Sequence, residues 1–186
     1  KIQEFKWWMD KDEVTISSSE VHAPTKDGQN FGFKDEPLTG AKYVSYSNTQ
    51  DSLYFVSPNV TLNYENNTLT ASKVKYIDVA DARIFPDKEQ IIIEGENVLP
   101  ISNSKILANR ETRFHNFFNA SVNIASRKYY TGDGWYYYID ENNKKQPIYF
   151  TKIYVNDSII TIAKGEIIET DTFTLNPYFH FQGDVT

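Results

Sequence analysis

ISNSKILANRETRFHNFFNASVNIAS, residues 101–126, holds one short phrase twice. Asn103-Ser104-Lys105-Ile106 is answered by Asn119-Ala120-Ser121-Val122. In each, a small residue is followed two places on by a β-branched one, with a polar residue between. A strand sends alternate side chains to opposite faces. Ser104, Ile106 and Ala108 therefore share one face of a strand, and Ala120, Val122 and Ile124 share the matching face of another. Small residues let neighbouring layers approach, and β-branched ones fill the space between them. These positions are predicted to point inward.

The phrase recurs outward from there, at Ala41/Tyr43, Ser72/Val74, Ala82/Ile84 and Thr151/Ile153, with Pro58/Val60 as a variant. From Pro58 its small residue returns at intervals of 14, 10, 22, 16 and 31 residues, uneven against the roughly 20–45-residue rung of a regular solenoid. The predicted fold is all-β: an irregular β-solenoid or β-helix-like stack of short strands, with a β-sandwich or jelly roll as the alternative. Composition agrees, with 13 Tyr and 12 Phe among 186 residues, side chains that suit a half-buried pleated surface. No stretch carries helical periodicity.

Two hairpins are legible. Val60–Tyr64 and Thr68–Val74 flank the polar turn Glu65-Asn66-Asn67, with Val60, Leu62 and Tyr64 on one face and Thr61 and Asn63 on the other. The second runs from Tyr129 to Phe150 and on to Val155. In it, Thr131-Gly132-Asp133-Gly134 reads as a flexible turn, Trp135–Ile139 as a strand, Asp140–Gln146 as a polar turn and Pro147–Val155 as the return strand. Residues 1–37 read as one or two N-terminal strands and a Pro/Gly loop carrying Pro24, Gly28, Gly32 and Pro37. Residues 38–186 read as a β-repeat domain whose pattern continues beyond the C-terminus. The chain opens on Lys1, and alternation still runs at Thr186, which suggests a segment of something longer.

Charge and composition exclude several classes. The net charge is −6 and the basic doublets Arg127-Lys128 and Lys144-Lys145 are isolated, so no nucleic-acid partner is expected. There is no cysteine, hence no disulfide framework or thiolate metal site. No apolar run approaches the roughly 20 residues of a spanning helix. His22, His115 and His180 stand apart, and Asp10, Asp12 and Glu13 lack the glycine and later glutamate of a calcium loop. No nucleophile elbow or phosphate-cradling loop occurs. The sequence therefore predicts no catalytic residue, no metal and no cofactor.

What stands out is Trp135-Tyr136-Tyr137-Tyr138, preceded by Tyr129-Tyr130. On a strand, Trp135 and Tyr137 take one face and Tyr136 and Tyr138 the other. Either neighbouring layers cover both faces, or one face is open and forms a platform on which a sugar or a protein stacks. The candidate ligand-binding residues are Trp135, Tyr137, Tyr130 and Asp133. With Asp140 as a second acid, the same region is where a carbohydrate-active β-helix enzyme would carry its site.

Four phrases carry a resemblance: Trp7–Glu13, Asp51–Phe55, Val79–Asp87 and Tyr130–Asp140. With these the chain resembles large β-repeat proteins, secreted or of the cell envelope, from Bacteroidetes-type bacteria. The hairpin at Val60–Val74 also resembles the repeat of OstA-type lipopolysaccharide-transport proteins. The first resemblance implies an exported location (periplasm, outer-membrane surface or secreted) and brings no catalytic residues. The second implies a lipid-conduit module. The functional expectation is a non-enzymatic scaffold or binding module, part of a longer chain or complex, that contacts protein or glycan. A carbohydrate-active enzyme or carbohydrate-binding module and a lipid conduit are the alternatives.

Overall fold

A computed structural model describes residues 3–27 and 29–186. Lys1, in the expected opening strand, and Gly28, in the expected loop, lie outside them. The chain is all-β, 57% strand. Among the described residues the helical content is four 3-10 turns of three residues each.

Two antiparallel sheets dominate. The first has six strands in the order β1 (Glu4–Trp8), β2 (Glu13–Ser17), β7 (Asn59–Asn63), β8 (Thr68–Ser72), β11 (Gln90–Glu94) and β12 (Asn97–Val98). The second has eight: β20 (Gly183–Val185), β17 (Thr161–Ile167), β16 (Lys145–Val155), β15 (Tyr129–Ile139), β14 (His115–Ser126), β13 (Ile101–Ala108), β10 (Ala82–Phe85) and β9 (Ile77–Val79). Among the described residues there are also three two-stranded pairs: β3 (Val21–His22) with β4 (Leu38–Thr39), β5 (Ala41–Val44) with β6 (Tyr54–Ser57), and β18 (Thr174–Asn176) with β19 (Phe179–His180). All strand pairings among the described residues are antiparallel. The parallel rungs of a solenoid are not among them, so the expectation of a solenoid is not confirmed.

The inward phrase holds where it was read first. Ser104, Ile106, Ala120 and Val122 are all at most 1% exposed, and Ser104 pairs directly with Ala120. Asn103 and Asn119, which open the two phrases, both lie in the left-handed region, at φ 52° and 47°. Each is the extra residue of a β-bulge. The bulges explain a change of parity. Ile101 and Phe117 are buried at odd positions, yet Ser104, Ile106, Ala120 and Val122 are buried at even ones. One added residue flips the face that follows, so the apolar side stays inward.

A third bulge falls on β16, where Gly132↔Ile153 gives way to Gly134↔Phe150. Inward positions there pass from Ile148 and Phe150 to Ile153 and Val155. Thr151 is consequently exposed, a correction to the Thr151/Ile153 phrase. A band of small residues crosses the sheet at these bulges. Ala120 sits against Gly134, where an added Cβ would be 3.0 Å from the Ala120 Cβ. A Cβ on Gly132 would lie 2.3 Å from the Ser121 carbonyl oxygen, and one on Gly165 would lie 2.6 Å from that of Tyr149. Close backbone approach along this band curls the sheet into a half-barrel. Thr131–Gly134 is therefore the middle of strand β15, not the flexible turn its glycines suggested. The glycines are there because backbone passes close by, not because the chain turns.

At one end the curl brings distant strands together. Asp81, in the β9–β10 turn, accepts hydrogen bonds from the Thr161 backbone N–H at 3.0 Å and from its hydroxyl at 2.5 Å. Thr161 opens β17, near the far side of the same sheet. One contiguous apolar cluster runs through both sheets, from Leu53, Val60 and Ile91 to Ile106, Val122 and Ile153. In the six-stranded sheet Val60, Ala71 and Ile91 face inward in register, as do Leu62, Leu69 and Ile93. The hairpin expected there is present. β1 and β2 pair onto this sheet through β7.

The Pro/Gly loop is tied down by charge. Arg83 on β10, 2% exposed, donates to both carboxylate oxygens of Asp78, to Asp35 at 2.8 Å and to the Thr25 hydroxyl at 3.0 Å. Its guanidinium lies 3.7 Å from the Tyr76 ring centroid. Arg113 adds a second contact to Asp35 at 2.8 Å, and Arg110 bridges Asp27 and Asp78 at 3.2 Å each. Burial pushes the Asp35 carboxyl pKa up, but hydrogen bonds and charge from Arg83 and Arg113 outweigh it and hold it below the usual carboxylate range. β3–β4 pairing closes the loop at its base.

Two expectations follow from this architecture. Asn119→Val puts a β-branched residue into left-handed backbone and costs about 1–2 kcal/mol, whereas Asn119→Gly stays within about 0.5 kcal/mol of wild type; urea denaturation separates them, and equal stabilities would contradict the bulge. A carboxyl lowered in the folded state contributes stability above its unfolded pKa and loses it as pH falls through the folded one. Wild type should therefore lose stability below about pH 4. Asp35→Asn should be weaker by about 1–3 kcal/mol at neutral pH, with the gap closing in acid. A constant gap across that range would show that Asp35 is not the titrating group.

Candidate functional site

The half-barrel has a concave inside and a convex outside, and alternation along β15 divides the aromatic run between them. Tyr130, Tyr136 and Tyr138 turn inward; Trp135 and Tyr137 turn outward, 38% and 43% exposed. The face of β15 that carries Trp135 and Tyr137 is thus open to solvent, and the other is covered. Trp135 is paired across β14 with Phe118 and across β16 with Tyr149. Three aromatic side chains stand in one row over three adjacent strands, with Tyr137 beside them.

The rings pack in two pairs. Phe118 and Tyr137 stack with centroids 4.5 Å apart and planes 21° apart. Trp135 and Tyr149 lie 5.0 Å apart at 43°. Each ring is packed against its partner, and Trp135, Tyr137 and Tyr149 remain partly exposed. Polar groups edge the row. Asp133, two residues before Trp135 on the same face, accepts the Tyr149 hydroxyl at 2.9 Å. That hydrogen bond, with a smaller contribution from burial and the carboxylate's charge, raises the Tyr149 phenol pKa. Ser121 pairs with Asp133, and Asn123 with Thr131. The Lys145 ammonium is 5.7 Å from the Tyr137 ring centroid.

Three of the four predicted ligand-binding residues, Trp135, Tyr137 and Asp133, are brought together here. Tyr130 is not. It is fully buried on the inner side, its hydroxyl 2.9 Å from that of Thr161, and burial pushes its pKa far up. Even parity on an unbulged strand put it opposite Trp135, so its assignment to the site is corrected. Asp140 is also elsewhere. It is buried and accepts the backbone N–H groups of Asn142 and Lys144, both at 2.9 Å, inside its own turn. Seven residues of strand, roughly 23 Å at about 3.3 Å per residue, separate it from Asp133. Retaining and inverting glycosidases hold their carboxyl groups about 5–9.5 Å apart.

Phe118 and Tyr149 were not among the predicted site residues. Both come from other strands, and their register with Trp135 depends on bulges that shift pairing by one. Among the described residues no group of three or more His, Asp or Glu side chains is placed to hold a metal ion. His115 packs between Phe114 and Tyr136, and His22 hydrogen-bonds the Gly40 carbonyl at 2.8 Å.

Two of the hollows among the described residues have mainly apolar walls and lie away from the outer row. One, of about 280 Å³, opens on the inner face of the half-barrel among Phe117, Tyr136, Ile148 and Phe150. The other, of about 520 Å³, lies between the β5–β6 hairpin and the six-stranded sheet. They share no lining residue. No family model, curated protein or solved structure matches the chain.

Proposed function

We propose that the chain is a non-enzymatic binding module whose outer aromatic row recognises glycan. One observation carries the reading: Phe118, Trp135 and Tyr149 stand in register on the exposed face of a rigid sheet, with a carboxylate and hydroxyl groups at their edge. Sugar rings present an apolar C–H face and a rim of hydroxyls. Aromatic rings suit the first, and Asp133, Ser121 and Asn123 suit the second as acceptors and donors. A stable protein interface calls for a patch of about 800 Å² per partner, and a row of four rings bordered by polar strands is small for that. Glycan is therefore the occupant this geometry favours.

The separation of Asp133 from Asp140 removes the carboxylate pair on which the enzyme alternative stood. The lipid-conduit alternative requires a continuous apolar groove along the strands; the hollow on the inner face of the half-barrel and the one under the β5–β6 hairpin share no lining residue, which gives it no support among the described residues. In architecture we read a curled, sandwich-like pair of sheets around one core, supported by antiparallel pairing throughout the described strands and by the shared apolar cluster. Placement in the periplasm, at the outer-membrane surface or outside a bacterial cell is also proposed. It rests on the sequence resemblance to exported β-repeat proteins.

A glycan array probed with the purified chain tests the reading. Binding to a subset of glycans is expected, and Trp135→Ala should weaken it about tenfold or more with an unchanged circular dichroism spectrum. Binding to no glycan, or undiminished binding by the variant, would count against the proposal.

A further inference from the structure

β1 is an open edge of the six-stranded sheet. Among the described residues it pairs with β2 alone, and its five residues are all exposed. The apolar face of the sheet does not stop short of it. The rows that contain Val60 and Leu62 on β7 pass in register through Ile16 and Val14 on β2 to Phe5 and Trp7 on β1. Val60 is 2% exposed, whereas Phe5 and Trp7 are each 60% exposed. A single apolar side chain at the surface is ordinary. Two rows that leave the core and run on, uncovered, to a free strand edge mark an interaction surface.

Backbone direction and charge select the occupant. The Tyr64 N–H donates to the Asp12 carbonyl and the Ser18 N–H to the Pro58 carbonyl, both at 2.9 Å. Even-numbered residues along β2 therefore turn their backbone groups to β7, and odd-numbered ones turn theirs to β1. Glu4, Lys6 and Trp8, opposite Ser17, Thr15 and Glu13, are bonded to β2. Phe5 and Trp7 hold their N–H and C=O groups out from the edge. On the face away from Phe5, Glu4 and Lys6 form a half-exposed ion pair at 2.9 Å. A second β1, laid antiparallel about a two-fold axis at Phe5, exchanges both backbone hydrogen bonds of Phe5 with its copy. Each Glu4 then faces the copy's Lys6 in the closer, non-hydrogen-bonded positions of the ladder. An axis at Glu4 or at Lys6 sets like charges opposite each other, and one at Trp7 leaves Glu4 past the end of the partner strand.

We propose that two copies of this chain join edge to edge through β1, with the two-fold axis at Phe5, into one continuous antiparallel sheet. Glu4 and Lys6 of the two copies make four alternating charges on one face. On the other, Phe5 meets its copy, and each Trp7 lies on the diagonal from it, within reach of a large ring. The interface is independent of the glycan reading, since it uses the other sheet and no residue of the outer aromatic row.

Sedimentation equilibrium of the purified chain and of two charge-exchanged variants tests it. Wild type should dimerise reversibly at concentrations below about 1 mM. Glu4→Lys and Lys6→Glu should each weaken dimerisation about tenfold or more, because each turns two attractive pairs into repulsive ones, while the circular dichroism spectrum stays native. General repulsion between net-negative chains predicts the opposite for Glu4→Lys. An equimolar mixture of the two variants should recover a dimer comparable to that of wild type, since Lys then faces Glu across the junction. Neither variant regains the ion pair within its own strand, so recovery reports pairing between copies. A wild type that stays monomeric throughout that range would overturn the proposal. So would undiminished dimerisation of either variant, or a mixture that associates no better than its components.

Discussion

The close passage of backbones along one band of the eight-stranded sheet governs the rest of the structure. Ser104, Ala120 and Gly134 lie side by side on three neighbouring strands, and Gly165 continues the band past Phe150. A side chain larger than these would hold the strands apart. Bulges at Asn103 and Asn119 tighten the local twist and reset alternation. Together they turn a flat antiparallel ladder into a curled one. The curl brings Asp81 to Thr161 and encloses Tyr130.

The inside and outside of that curl have different chemistry for a simple reason. Inside, Phe117, Tyr136 and Phe150 meet edge-on or tilted within 6.2 Å and fill the space left by the small residues. Outside, curvature carries the odd-numbered side chains of β15 into solvent. Trp135 and Tyr137 then need partners on their own face, and they find them in Tyr149 and Phe118. A hollow remains beside the six-stranded sheet because the β5–β6 hairpin covers it without filling the space. The Arg83 cluster adds rigidity on another side, fastening a long polar loop to β10 with buried, fully paired charges.

Much of this was legible in the sequence, and what was not has identifiable causes. Strand type was plain from aromatic and β-branched content, and inward burial of Ser104, Ile106, Ala120 and Val122 followed from alternation within one phrase. The asparagines at the head of each phrase carried the further message, since Asn tolerates left-handed backbone, but spacing alone does not separate a bulge from a turn. Gly132 and Gly134 were misread for the same reason: glycine marks both a bend in the chain and a close neighbour. The outer row was half visible. Trp135, Tyr137 and Asp133 sit on one strand, whereas Phe118 and Tyr149 join them only through shifted registers. Arg83, Asp78 and Asp35 were invisible as a unit because Asp35 lies 48 positions from Arg83.

Cross-strand nuclear Overhauser contacts between β13 and β14 test the central claim most directly. The account predicts that Ile101 opposes Val122, Ser104 opposes Ala120 and Ile106 opposes Phe117. Three residues then face two, and the next two face three. A one-for-one register running unbroken from Ile101 to Ala108 would remove the bulges, and with them the physical cause of the curl.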